Sequence, residues 1–86
     1  MNGGNEKMNA DQKDAILAYY NALRDRLPDV EERMDSKNPR VSARAANEFT
    51  RIISKQEAVD DVLDLLGYTL FVNDEEYAIG IEPKSD

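Results

Sequence analysis

Two runs of apolar residues at helical spacing, separated by one short turn, constrain this chain more than any other feature. In the first, Ile16, Tyr20, Leu23, Leu27, Val30 and Met34 follow one another in steps of 4, 3, 4, 3 and 4. In the second, Val41, Ala45, Phe49, Ile52, Gln56, Val59, Leu63 and Leu66 step by 4, 4, 3, 4, 3, 4 and 3. Such spacing keeps one stripe of a helix facing one partner. Between the runs, Ser36-Lys37-Asn38-Pro39 reads as a turn, with Asn38 as N-cap and Pro39 at the first helical position. Two stripes joined this closely predict an antiparallel helical hairpin. Its natural register sets Met34 by Val41, Val30 by Ala45, Leu27 near Phe49, Leu23 by Ile52, Tyr20 near Gln56 and Ile16 by Val59.

The first helix is expected over about 10–36, capped by Asn9 with Gln12 and carrying Asp11 in its first turn. Pro28 lies inside it, and Asp29, Glu31 and Glu32 follow as they would at a fresh N-terminus. A break into 10–27 and 28–36 is therefore expected, with the apolar phase unbroken. The second helix is expected over about 40–66 and ended by Gly67 in the left-handed conformation. Ser54 with Glu57 could cap a separate helix, but the continuous phase favours a single one.

After Gly67 the period changes from helical to alternating. Tyr68–Val72 and Tyr77–Ile81 read as the strands of a β-hairpin, 68–72 and 77–81, around Asn73-Asp74-Glu75-Glu76. Pairing Val72 with Tyr77 sets Leu70 opposite Ile79 and Tyr68 opposite Ile81, with all six on one face. A two-stranded hairpin is marginal alone. Leu17, Tyr19, Ala58 and Val62 widen the apolar stripes at the open end of the helical hairpin, so the β-hairpin is expected as a lid there. Its other face would carry Phe71 with Thr69, Ala78 and Gly80, and both strand edges would be bare. The fold class is thus α+β, mostly helical. Residues 1–8 read as a disordered tail, 9–82 as one small domain and 83–86 as a frayed end.

Composition narrows the chemistry. The chain has no His and no Cys, which removes the commonest general base, the thiolate nucleophile and the usual zinc ligands. Serines have no base beside them, and no glycine-rich phosphate loop is present. The expectation is a non-enzymatic protein that needs no metal or cofactor. No apolar run approaches the roughly 20 residues of a membrane span, and no signal segment begins the chain, so a cytoplasmic location is expected.

The net charge of −7 is unevenly placed. Residues 1–21 carry −1, 22–55 carry +2 and 56–86 carry −8. Glu57, Asp60, Asp61 and Asp64 recur at helical spacing, where like charges oppose one another and the last two meet the negative end of the dipole. With Asp74, Glu75 and Glu76 at the hairpin tip, they nominate an acidic surface for a partner with a basic surface; Phe71 is a further contact candidate. Direct binding of nucleic acid or membrane is not expected. Arg40 and Arg44 form only a small cluster, and the helix before the β-hairpin is too acidic for a recognition helix.

The leading expectation is a small acidic protein–protein interaction module, as a homodimer or a subunit of a larger assembly. The alternative is an acidic nucleic-acid mimic, of the kind phages and mobile elements encode, that inhibits a nucleic-acid-binding protein.

Overall fold

A computed structural model describes residues 7–84. It contains helix α1 (Ala10–Met34), helix α2 (Pro39–Leu65), and strands β1 (Tyr68–Val72) and β2 (Ala78–Pro83). The helical hairpin and the antiparallel β-hairpin are both present, as the periodicity predicts.

The helix ends follow local chemistry. The Asn9 side chain accepts from the Gln12 N–H at 2.8 Å, and Gln12 returns the bond to the Asn9 N–H at 2.9 Å. Asn38 Oδ1 accepts from the Arg40 and Val41 N–H groups, and Pro39 opens α2. Across the turn, the Ser42 hydroxyl donates to the Met34 carbonyl at 2.8 Å, which occupies an acceptor that the end of α1 leaves free. Gly67 closes α2 at φ 87°, in the left-handed region. No break occurs at Ser54.

Nor does α1 break at Pro28, contrary to expectation; it is one helix of 25 residues. Leu23, Leu27 and Val30 are all buried on one stripe, and a new helix at Pro28 would have to recover that phase. Pro28 itself is exposed. The Arg24 carbonyl loses its helical donor, but the proline ring displaces no core side chain.

The core has two parts. Leu23, Leu27, Val30, Ala45 and Ile52 pack between the helices, with Met34, Phe49 and Ile53 against them. At the open end, Leu63, Tyr68 and Ile81 join the β-hairpin to the helices, with Met8, Ile16, Leu17, Val59 and Leu70 around them. Between the two parts sits buried Gln56, whose amide donates to the Tyr20 carbonyl at 3.4 Å. Of the predicted tail, residues 1–6 lie outside the described part, but the Met8 N–H donates to the Tyr68 hydroxyl at 2.8 Å. At the other end 85–86 lie outside it, while Pro83 belongs to β2 and the Lys84 N–H donates to the Gly67 carbonyl.

The β-hairpin register differs from the expected one in two steps. Asn73 and Tyr77 close the turn, with the Asn73 N–H donating to the Tyr77 carbonyl at 2.9 Å. Glu76 takes the left-handed conformation at φ 68°, so the loop has three residues rather than four. Asn73 Oδ1 accepts from the Glu75 and Tyr77 N–H groups and stabilises this loop. That first step pairs Val72 with Ala78 and turns Ala78 inward. A bulge at Ile79 then adds a second step, giving Phe71–Gly80 and Leu70–Ile81. Ile81 stays in the core, but Ala78 is 5% exposed and Ile79 63% exposed, the reverse of the expectation. Tyr68 faces Pro83 rather than Ile81.

Asn21 of α1 holds this arrangement. Its Oδ1 accepts from the Ala78 N–H at 2.7 Å and its Nδ2 donates to the Ala78 carbonyl at 3.0 Å. The side-chain amide thus pairs with one residue of the β2 edge as a neighbouring strand would. Further along, Arg24 Nε donates to the Glu75 carbonyl, and the Tyr77 hydroxyl donates to Asp25 at 2.6 Å. The Asp25 hydrogen bond is the main reason the Tyr77 hydroxyl titrates above its ordinary value.

On the helical hairpin, Glu48 receives Arg26 at 2.9 Å and Arg33 at 3.1 Å, and Arg33 also holds Asp29. The hydrogen bonds from Arg26 and then Arg33 hold the Glu48 carboxyl below its ordinary value. A depressed carboxylate stabilises the fold above its unfolded pKa, and that contribution disappears as pH falls through the folded value. Acid unfolding of Glu48→Gln should therefore be less steep than that of the parent below about pH 4.3. Urea midpoints across that range test this; parallel acid slopes would remove Glu48 from the account.

Candidate interaction site

The predicted acidic residues stand in different local settings. Asp64 is paired with Lys84. Glu57 and Asp60 meet Glu76 along a cleft of about 320 Å³ that also contains Tyr20, Ile53, Gln56, Leu70 and Val72. Asp61 is exposed on α2 but outside that cleft, as are Asp74 and Glu75 at the hairpin tip. Burial, then Asp60 and Glu76, raise the pKa of the Tyr20 hydroxyl. Among the described residues, no group of three or more carboxylates is arranged to hold a metal ion.

Phe71 lies on the outer face of the β-hairpin, 47% exposed. The bulge places Ile79 on the surface beside the Phe71–Gly80 pair, an exposure that period-two alternation does not reveal.

The larger apolar feature lies on the opposite side of the helices. The β-hairpin was expected to pack as a lid on the widened end, and it does so on one side. It covers one flank, where Leu17, Asn21 and Arg24 of α1 meet it. The other flank is a groove of about 410 Å³ between α1 and α2. Ala15, Ile16 and Tyr19 line it from α1, and Ala58, Val59, Val62 and Leu63 from α2, with Leu66 at the C-cap of that helix. Ile16, Val59 and Leu63 form its base, where they also pack toward the β-hairpin. Tyr19, Val62 and Leu66 stand at its sides and are each about half exposed or more.

The physical cause is the width of the helical stripes. Positions 15, 19, 58, 62 and 66 fall on one flank of the seam, and 17, 21, 60 and 64 on the other. A two-stranded hairpin leaving Gly67 can lie over only one of them. Leu66 was legible as the end of the second stripe, and Tyr19, Ala58 and Val62 as extra apolar width, whereas Ala15 and the cation in the lining, Lys55, were not singled out.

Lys55 is exposed at the rim, and Arg51 stands one turn before it on α2. Among the described residues neither has a carboxylate within ion-pair distance. The groove is thus apolar along its length and cationic at one end, in a chain whose net charge is −7. Also among the described residues, no helix is long and apolar enough to cross a membrane.

Comparison with protein-family models, curated proteins and solved structures gives no match, so no relative's activity carries over to this chain.

Proposed function

We propose that this chain is a small non-enzymatic protein-interaction module whose binding surface is the groove between α1 and α2. One observation carries the reading: a continuous apolar lining stays open although a β-hairpin packs beside it. Scattered apolar residues are ordinary on protein surfaces, but a concave apolar patch is the usual form of a docking site. The absence of His and Cys favours binding over catalysis.

The test is photocross-linking in the cells that make the protein, with a benzophenone amino acid at Val62 and, as control, at exposed Thr50. An adduct with another polypeptide from position 62 and none from position 50 is the expected result. No adduct from position 62, or equal adducts from both, would rule the reading out.

A second reading rests on a different observation. Glu57, Asp60 and Glu76 share one cleft, and none of the three has a cation within ion-pair distance among the described residues. This favours recognition of a basic partner surface, the class to which a nucleic-acid mimic belongs. Binding of an arginine-rich peptide should weaken steeply between about 50 and 200 mM salt. It should also be lost in the combined Glu57→Gln, Asp60→Asn, Glu76→Gln variant; retained binding in that variant would end this reading.

A further inference from the structure

We propose that the occupant of the groove is an amphipathic helix of another protein, one whose apolar stripe is followed by acidic residues that meet Lys55 and Arg51. This rests on the interaction-module reading above and names the partner's chemistry.

Shape points to a helix. The groove runs along two packed helices, and its α2 side extends from Lys55 to Leu66. At 1.5 Å per residue that is a length of about 16 Å, or three turns. A docked helix with anchors at i, i+3 or i+4 and i+7 needs about that length. Ala15 and Ala58 keep both sides low, so the backbone of a third helix can approach closely. Tyr19, Val62 and Leu66 supply the walls that its anchors would touch. The product is a three-helix layer whose opposite face already carries the β-hairpin.

Charge selects among helices. The lining contains one cation and no carboxylate. Along the same face, Glu48 and Asp29 are already held by Arg26 and Arg33. A second copy placed groove to groove offers Lys55 and Arg51 no carboxylate from its lining in either orientation. A partner helix with Glu or Asp beyond its apolar stripe supplies that charge, and one with Lys there is repelled.

The experiment uses two synthetic helical peptides with the same leucine stripe, one flanked by Glu and one by Lys, titrated into the full chain. The Glu peptide is expected to bind roughly tenfold more tightly, as two rim ion pairs allow, with the difference shrinking at high salt. The double substitution Lys55→Glu, Arg51→Glu should reverse the order. Val62→Asp should weaken both peptides at least roughly tenfold, and because Val62 is 53% exposed, its urea midpoint should stay near the parent value.

Equal affinity for the two peptides, an unreversed order in the double variant, or binding that ignores Val62→Asp would overturn the proposal. So would a chain that dimerises through Val62, or one that cosediments with phosphatidylserine vesicles through Lys55 and Arg51. Cross-linking from position 62 without a Glu-peptide preference would sink only the partner's chemistry. Failure of the cross-link would sink the interaction reading itself.

Discussion

Leu63→Ala is expected to lower the unfolding free energy by about 2–5 kcal/mol, read as a lower urea midpoint at an unchanged slope. Leu63 is 1% exposed and packs with Tyr68 and Ile81 where the β-hairpin meets both helices. Truncation removes buried apolar surface and leaves a void bounded by Ile16, Leu17, Val59 and Leu70, which sit on three different elements. Those elements cannot all move inward at once, so the void closes poorly and the cost falls toward the upper part of that range. For 86 residues, ordinary domain stability is about 4–13 kcal/mol, so one methylene-rich side chain decides a large share of it. Leu65, two residues away, is 84% exposed, and Leu65→Ala should change stability by no more than about 0.5 kcal/mol. Equal effects at the two positions would mean that the β-hairpin is not docked through Leu63.

The second large effect is expected at Asn21. Asn21→Ala leaves the N–H and carbonyl of buried Ala78 without partners, and such groups cost roughly 1–3 kcal/mol when nothing replaces the bond. Asn21→Asp keeps the size but sets a carboxylate oxygen against the Ala78 carbonyl, so it should also destabilise. A loss seen only in the alanine variant would assign the effect to packing. Amide exchange separates the clamp from the rest of the fold: protection at Ala78 should fall in Asn21→Ala, while Ile52 in the helical core stays protected under native conditions. Unchanged exchange at Ala78 would remove the clamp from the account.

These two residues mark the limit of what the sequence discloses. Leu63 belongs to a heptad stripe, and local chemistry also announces the Asn9 box, the Asn38-Pro39 start and the Gly67 stop. Each depends on neighbours within a few positions. Pro28 shows a local rule overridden, because burial of Leu27 and Val30 on one stripe outweighs a single missing helical bond on an exposed side. The strand register was not legible. It depends on Glu76 adopting a left-handed conformation that its residue type does not advertise, and on Asn21 reaching Ala78 from 57 positions away. The same holds for the groove. The excess apolar width was visible at Tyr19, Ala58 and Val62, but which flank the β-hairpin covers is settled only by the turn at Gly67 and the Asn21 clamp.

For the acidic residues, the tertiary structure changed the grouping. Helical spacing placed Glu57, Asp60, Asp61 and Asp64 together, yet the folded-back β-hairpin gives Asp64 to Lys84 and brings Glu76 to Glu57 and Asp60. Like charges gathered this way oppose one another, but among the described residues the acids after Gln56 lie on α2, on the β-hairpin turn and on β2 rather than along one row.

The central claim is that the flank opposite the β-hairpin is open in the free chain and is covered by another molecule. Methyl-group NMR with a soluble paramagnetic agent measures this directly. In the free chain, signals of Val62 and Leu66 should be strongly attenuated, while those of Leu63 and Ile52 are spared. Adding the Glu-flanked peptide should protect Val62 and Leu66 and leave Ile79 and Leu65 attenuated. Protection of Val62 and Leu66 before any peptide is added, or no change at them afterwards, would contradict the account.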